Sequence, residues 1–391
     1  MLANVLVIVL ACLIMVFLWG RIEADSPRFA RWDLHLYRRM ADAAPNLNLE
    51  IRPPFVYRIL GPYLVGILPV QRDSAFLLLT LGVAFLVPLT LYMFLRKLGV
   101  TPTNATLSTV LFVAARGPYG FAVWDYYQFN DLLALLWILL LLWTARTGRW
   151  LLFGLILVLG VLTREVIVLM PIVVLVYLIE SGRWSKERMG FLLSLVPAAF
   201  AFLSLVLMVL AHGTSPTYYA DAVSAYGRGI LEVQPWLRVL VLAFAPVSLF
   251  PLLTPGKTWR LLMGARHLLL LYAVTVGTIL FSADMERLMA PAFVSFYFVL
   301  GKLLDENPLG SRQVAILLIA AFLGSLHHIY ARYPLPTREM TILSSGAATA
   351  LATGVYWWRL RSAAGSPPHP VSLDTDNARG AMGNGRSTVL R

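Results

Sequence analysis

The chain has 391 residues, of which 59% are hydrophobic and only 13% are charged, and its mean hydropathy is +0.74. A charged fraction about half that of ordinary soluble domains excludes a typical soluble enzyme and indicates a polytopic helical membrane protein. The net charge of +12 is spread among apolar runs rather than gathered in one domain, so it favours anionic lipid over nucleic acid as a partner.

Long apolar runs predict an all-α fold, a transmembrane bundle of about twelve spans, since a helix needs about 20 mainly apolar residues to cross the hydrocarbon core. The segment 59–69 is apolar but short, which predicts an interfacial or re-entrant helix. The predicted spans are residues 2–20, 74–95, 103–115, 129–145, 150–162, 166–180, 190–211, 238–254, 267–282, 288–301, 313–330 and 342–357.

Basic residues in the short loops predict that both termini face the cytoplasm, because cytoplasmic loops carry an excess of lysine and arginine. The chain then divides into a membrane domain (1–361) with external loops at 21–73 and 212–237, and a cytoplasmic tail (362–391). The tail is rich in Gly, Pro, Ser and Asn, which predicts disorder. The first 20 residues lack a basic start, which favours a retained span over a cleaved signal peptide. In this orientation all four lysines are cytoplasmic: Lys97, Lys186, Lys257 and Lys302.

The first external loop departs from that rule, because it contains eight arginines and no lysine. Either the topology is inverted or the loop binds anions, for which the planar guanidinium is better suited than the lysine ammonium. The arginines are Arg21, Arg28, Arg31, Arg38, Arg39, Arg52, Arg58 and Arg72.

The same loop contains the stretch RWDLHLYRRMAD. As a helix it would place Asp33, Tyr37 and Ala41 on one face. A carboxylate at the lipid–water boundary can accept a proton from a hydroxyl nucleophile, which is the work of a general base. The alternative is that Asp33 pairs with Arg31 or caps the helix.

Two acidic residues precede the fourth predicted span, in VWDYYQFNDLLALL. Asp131 is explained as a favourable anion in the first turn of a helix. Asp125 has no such explanation, which makes it a candidate second acid. The two carboxylates are six residues apart in the sequence and do not share a helical face, so the spacing does not indicate a common metal.

Charged residues also interrupt apolar sequence at two later places. Arg164 and Glu165, in GVLTREVIVLMP, would either face a cavity or each other within the membrane, or be solvated in a tight external turn. In LFSADMERLMAPAF, Asp284 is a plausible helix cap, whereas Arg287 is a cation near a helix start and a phosphate ligand would explain it. Aromatic residues of the later loop are candidates for sugar stacking or for interface anchoring: Tyr218, Tyr219, Tyr226 and Trp236.

Four motifs in this order, Y..MA, PPFVYRILGPYL, TRE and ADMERLMAP, resemble those of the GT-C superfamily of integral-membrane glycosyltransferases. The likeness is greatest to bacterial mannosyltransferase-like and cell-surface-glycopolymer enzymes, and it extends over most of residues 1–330. It implies transfer of a hexose or pentose, with inversion, from a polyprenyl phosphate to a glycan, lipid or protein acceptor. The reaction would take place on the outer face of the bacterial inner membrane.

The resemblance also implies roles for individual residues. Asp33 corresponds to the catalytic carboxylate of the first loop, and Tyr57 and Arg58 lie in the motif beside the carrier site, with Arg52 close by in sequence. The two further arginines of the lipid-phosphate site would be Arg164 and Arg287. Relatives often carry paired acids where this chain has Asp33 followed by Leu34 and His35. No cofactor is therefore predicted. The chain lacks the paired-acid motif that would support binding of a divalent metal. Asp125 stays the candidate second acid.

Two other functions remain open on the sequence. A transporter or flippase for a lipid-linked or anionic substrate would usually show two matching halves, and no internal repeat is visible. A non-catalytic scaffold of the cell envelope is the third alternative. The chain contains no Walker motif, H-E-x-x-H or G-x-S-x-G, which disfavours an ATP-driven pump and a soluble-type hydrolase.

Overall fold

The structure is a computed structural model that describes residues 1–29, 32–212, 224, 232–279, 285–325 and 337–364. Within these ranges the regular elements are helices and no strand occurs, which confirms the all-α prediction. The first ten α-helices are α1 (Leu2–Trp19), α2 (Leu34–Ala43), α3 (Leu60–Ile67), α4 (Arg72–Lys97), α5 (Pro102–Ala114), α6 (Phe121–Trp124), α7 (Phe129–Thr147), α8 (Trp150–Val161), α9 (Met170–Glu180) and α10 (Trp184–Ala211).

The C-terminal part of the described chain is also helical. Its last helix continues three residues into the segment predicted as a disordered tail, and the rest of that tail lies outside the described residues. The helices are α11 (Val233–Leu242), α12 (Phe250–Leu253), α13 (Pro255–Met263), α14 (Arg266–Thr278), α15 (Met285–Leu288), α16 (Phe293–Glu306), α17 (Ser311–Ser325) and α18 (Thr337–Ala364).

Within the described ranges, four helical segments are long and apolar enough to cross a membrane. A fifth is added if α13 and α14, which meet at a bend of 109°, count as one span. Most other predicted spans coincide with shorter helices, so membrane character is supported while the count of about twelve stays a prediction. The four segments are Leu2–Trp19, Arg72–Lys97, Tyr126–Thr147 and Trp184–Ala211.

One predicted span is wrong as a continuous helix, the run 238–254. Helix α11 ends at Leu242, turns follow, and α12 begins only at Phe250. Pro246 lies in the turn; proline has no N–H to donate and disfavours helical geometry in the residue before it. Hydropathy alone did not reveal this break, because the residues on both sides of Pro246 are apolar.

Helix α7 lies at the centre of the bundle, and helices α1 and α10 lie at its surface. The most apolar window of the α7 segment is 83% buried, whereas the corresponding windows of α1 and α10 are 22% buried. Helix α7 packs against α4 and α8, and α8 packs in turn against α10. Polar residues at the start of α7 are therefore surrounded by protein, and the outer helices present apolar side chains for contact with lipid.

The first loop folds into the two short helices that its sequence predicted, α2 and α3, which pack against each other. One glycine of α3 makes this contact possible, and a second allows α3 to approach α7. A Cβ atom on Gly66 would lie 2.2 Å from the carbonyl oxygen of Ala41, and one on Gly61 would lie 2.1 Å from Oδ1 of Asn130. Helix α3 therefore packs tightly against α2 and against the start of α7, which brings Arg58 into the protein interior.

Candidate functional site

Charged side chains from separate segments meet at the start of α7. Nη1 of Arg164, which follows α8, lies 2.5 Å from Oδ1 of Asp131, and both side chains are almost completely buried. Nε of Arg287, on α15, lies 3.5 Å from the other carboxylate oxygen. Asp131 thus joins two of the predicted arginines. Such a buried charge centre is stable only while its charges stay paired.

A second ion pair lies next to this centre. Arg58 presents its guanidinium edge to Glu165, with Nε at 3.0 Å from Oε2 and Nη2 at 2.5 Å from Oε1. Its Nη1 donates a hydrogen bond of 3.3 Å to the hydroxyl of Tyr37. Nδ2 of Asn130 donates to the carbonyl oxygen of Arg58 at 3.1 Å. The two pairs, with Tyr37, Asn130 and Arg287, are called the buried network below.

The buried network decides between the alternatives for the TRE motif. Arg164 is buried, so the solvated-turn interpretation is wrong for its side chain. Arg164 and Glu165 do not pair with each other; each pairs with a residue of a different segment. Burial raises the pKa of Glu165, but the neighbouring charge of Arg58 outweighs this and holds the pKa of that carboxyl below its ordinary value. Glu165 is therefore an anion under ordinary conditions.

Asp33 lies outside the buried network, at a more accessible rim. It precedes the first residue of α2, but its side chain makes no capping hydrogen bond, so the cap interpretation is wrong. Its carboxylate is 3.5 Å from Nη2 of Arg52; the Asp33 side chain is 27% exposed and that of Arg52 is 68% exposed. The pairing predicted with Arg31 falls on a residue outside the described ranges.

One aromatic ring connects the rim to the buried network. The guanidinium groups of Arg52 and Arg58 lie 5.7 Å and 5.3 Å from the centre of the Phe55 ring. The edge of the same ring contacts Tyr37, with 5.7 Å between centroids. Asp33 and Tyr37 are one turn of α2 apart. The predicted first-loop residues therefore form a continuous chain of contacts from the rim to the interior.

A cluster of aromatic rings lies beside Asp33, formed by Phe29, Trp32, Phe121 and Trp124 and called the aromatic cluster below. Trp32 stacks on Phe121 at 6.3 Å and meets Phe29 and Trp124 edge-on at 4.9 Å and 5.8 Å. It is 37% exposed. The guanidinium of Arg287 lies 5.3 Å from the centre of the Phe121 ring. The aromatic cluster thus extends from the neighbour of Asp33 to Arg287.

The remaining predicted site residues have different environments. Asp125 is fully buried, and its carboxylate oxygens have no hydrogen-bond partner of normal geometry in the described part of the chain. Burial raises the pKa of Asp125 to about 7, although the charge of Arg287 acts in the opposite direction. Tyr57 is half-buried and packs near Phe202, with 6.5 Å between ring centroids. The tyrosines proposed for sugar stacking at 218, 219 and 226 lie outside the described residues.

Sequence reasoning missed four residues of the buried network: Tyr37, Asn130, Asp131 and Glu165. Asp131 was explained by the helix dipole, and Glu165 was treated only as the neighbour of Arg164. A usable signal existed, because Gln128, Asn130 and Asp131 place three polar side chains at the head of an otherwise apolar helix.

Neither comparison with known proteins nor the arrangement of possible metal ligands assigns a function to this site. No protein-family model matches the chain, and no curated protein matches it. Among the residues that the structure describes, no three His, Cys, Asp or Glu side chains are grouped so that they could hold a metal ion.

Proposed function

We propose that the chain is an integral-membrane glycosyltransferase with about twelve spans. It transfers a hexose or pentose from a polyprenyl-phosphate carrier to a glycan, lipid or protein acceptor. One observation carries the proposal: the partly exposed carboxylate of Asp33 lies 3.5 Å from the exposed Arg52, and Trp32, which precedes Asp33 in the chain, is exposed as well. The reaction takes place on the extracytoplasmic face of a bacterial inner membrane, and both termini are cytoplasmic.

Asp33 acts as the general base in this proposal. Its carboxylate accepts the proton of the acceptor hydroxyl as the hydroxyl oxygen forms a bond to the anomeric carbon of the sugar. The bond between that carbon and the carrier phosphate breaks, and the phosphate oxygen leaves with the electron pair. Attack from the face opposite the leaving group inverts the configuration. Arg52, whose Nη2 lies 3.5 Å from the carboxylate, holds the Asp33 side chain at the accessible rim.

The arginines divide into two groups. Arg52 is exposed and its ion pair with Asp33 is long, so it binds the carrier phosphate and stabilises the charge that develops on it. Arg58 and Arg164 already bind the internal carboxylates of Glu165 and Asp131. These two act as positioning residues that hold the first loop against α7 and α8. Arg287 connects the rest of the buried network to the aromatic cluster, and in this proposal it reaches a phosphate bound at that boundary.

The exposed face of Trp32 supplies a surface for the sugar. A pyranose or furanose ring presents C–H groups on one face, and these pack on an aromatic face that is otherwise open to solvent. Trp32 is held by three neighbouring rings, so little conformational freedom is lost when a sugar stacks on it. Trp32 directly precedes Asp33 in the chain, and the proposal therefore assigns the sugar to this part of the rim.

The proposal is tested by adding labelled polyprenyl-phosphate and polyprenyl-diphosphate sugars to membranes that contain the protein. We expect a glycosylated product that control membranes lacking the protein do not form. Failure to form any product with a broad panel of sugars, from protein that is folded and inserted, would contradict the proposal.

One observation favours a transporter as the second candidate. The bend of 109° between α13 and α14 resembles the broken helices from which many transporters build substrate sites. Proteoliposomes distinguish the two functions, because a transporter moves the lipid-linked or anionic substrate across the bilayer without forming a chemical product.

A further inference from the structure

An apolar groove runs along the outer surface where α8 meets α10. Its volume is about 450 Å³, and its walls include Trp150, Gly154 and Val158 from α8 and Leu193 and Pro197 from α10. The nine residues from Trp150 to Val158 extend over about 12 Å of helix. Helix α10 is an outer helix, and Leu155 and Leu193 at the groove are 57% and 63% exposed. The groove therefore opens towards the lipid.

The floor of the groove exists because two glycines let the helices approach closely. A Cβ on Gly154 would lie 2.8 Å from the carbonyl oxygen of Ser194, and one on Gly190 would lie 2.6 Å from the ring of Trp150. The one hydroxyl in the wall, that of Ser194, donates to the carbonyl oxygen of Phe191 at 2.6 Å. The wall thus offers an occupant dispersion contacts and no free hydroxyl donor, which suits a hydrocarbon chain.

Cations lie at one end of this groove. Arg149 directly precedes α8, and Lys186 lies one turn before Gly190 on the face of α10 that lines the groove. Both are exposed, and neither belongs to an ion pair among the described residues. The acidic residue on this side, Glu187, is already paired with Arg183 at 2.6 Å. The charge left at the mouth of the groove is therefore positive.

We propose that this groove binds an anionic phospholipid, with one acyl chain between α8 and α10 and the phosphate held by Arg149 and Lys186. The positive charge at the mouth attracts the phosphate, and the apolar wall binds the acyl chain of the same molecule. Trp150 lies between them, and tryptophan is a residue type enriched at the membrane interface. In the predicted topology this end faces the cytoplasm, where anionic lipids attract basic side chains.

The proposed lipid site is separate from the candidate active site. Helix α8 is 12 residues long, or about 18 Å. The groove mouth lies at its first residue, and Arg164 of the buried network follows its last turn. The inference therefore does not depend on glycosyl transfer and can be tested on protein without any enzymatic assay.

The test is native mass spectrometry of the detergent-purified protein, titrated with phosphatidylglycerol or phosphatidylcholine of identical acyl chains. We expect the first equivalent of phosphatidylglycerol to bind more tightly than that of phosphatidylcholine. In the double variant Arg149→Ala/Lys186→Ala, phosphatidylglycerol binding should weaken roughly 10- to 30-fold while phosphatidylcholine binding stays unchanged. Arg188→Ala removes an exposed charge from the same helix about 200° away from Lys186, so it should behave as wild type.

The groove itself is tested with Leu155→Trp, which puts a larger ring into the groove from an exposed position. This variant should lose the tight first equivalent of both lipids. Leu203→Trp changes a residue of the same exposure, 57%, on α10 outside the groove wall, and it should bind lipid normally. All variants are compared by size-exclusion chromatography and thermal unfolding. An unchanged preference in the double variant, unchanged binding in Leu155→Trp, or a dimer that Leu155→Trp disrupts would overturn the proposal.

Discussion

Arg164 and Asp131 form an ion pair of 2.5 Å in which the two side chains are only 4% and 5% exposed. Removal of one partner from such a pair leaves an uncompensated charge in the interior, which typically costs about 3–5 kcal/mol. The pair connects the segment after α8 to the start of the central helix α7. It therefore fixes the relative positions of two segments that carry predicted site residues.

The first prediction concerns that pair. Asp131→Asn should lower the free energy of unfolding by about 3–5 kcal/mol, because Arg164 and Arg287 lose the anion between them. The double variant Asp131→Leu/Arg164→Met should recover part of that loss, because it removes both members of the pair. Denaturant unfolding in detergent measures both effects. A single variant as stable as the wild type would show that the pair does not support the fold.

The second prediction contrasts two arginines of the first loop. Arg58→Ala should destabilise the protein by about 2 kcal/mol or more, because Glu165 loses its partner. Arg52→Ala should leave stability within about 0.5 kcal/mol of wild type, because the side chain is exposed. In the transfer assay, Arg52→Ala should raise the KM for the carrier-linked donor by roughly 10- to 100-fold. The same stability loss in both variants would contradict this division of roles.

The third prediction is a pH dependence that arises from Asp125. Its pKa is raised to about 7 in the folded protein, whereas an unfolded chain has an aspartate pKa near 4. The folded state therefore binds the proton more tightly, and the carboxyl costs stability progressively as pH rises from about 4 to about 7. Asp125→Asn should gain thermal stability relative to wild type over this window, with a constant difference at higher pH. A difference that does not change with pH would contradict the assignment.

The fourth prediction concerns Trp32. If the sugar stacks on its exposed face, Trp32→Ala should raise the KM for the sugar substrate roughly 3- to 10-fold, with a smaller change in kcat. Trp32→Tyr retains an aromatic face and should restore most of the affinity. Trp259→Ala removes another exposed tryptophan, on α13 and outside the aromatic cluster, and serves as the control. Equal KM values for Trp32→Ala and wild type would show that the aromatic cluster does not bind the sugar.

The sequence was sufficient for the features that depend on local patterns. The apolar runs predicted most helices, and short helices were expected in the first loop, where α2 buries Tyr37 and Ala41 on one face. The prediction of a continuous helix over 238–254 was wrong because the overall hydropathy of the run does not indicate the turn at Pro246. Single residues with special backbone requirements override an average over many residues.

Local sequence patterns could not predict which residues the charged side chains pair with. Arg58 and Glu165 are 107 residues apart in the chain, so no helical spacing connects them. Asp131 had a sufficient local explanation, the helix dipole, and this concealed its ion pair with Arg164. A charged residue in apolar sequence can be recognised as one that needs a partner, but only the fold determines which residue that partner is.

The most direct test of the central claim is transfer by Asp33→Asn with a labelled polyprenyl-phosphate sugar. Asp42→Asn is a matched control, because Asp42 lies on the same helix α2, is exposed and makes a surface ion pair of 3.4 Å with Arg72. We predict that Asp33→Asn loses roughly 10²- to 10⁴-fold in kcat while it remains folded and inserted, and that Asp42→Asn stays active. Wild-type transfer by Asp33→Asn would contradict the assignment of the base.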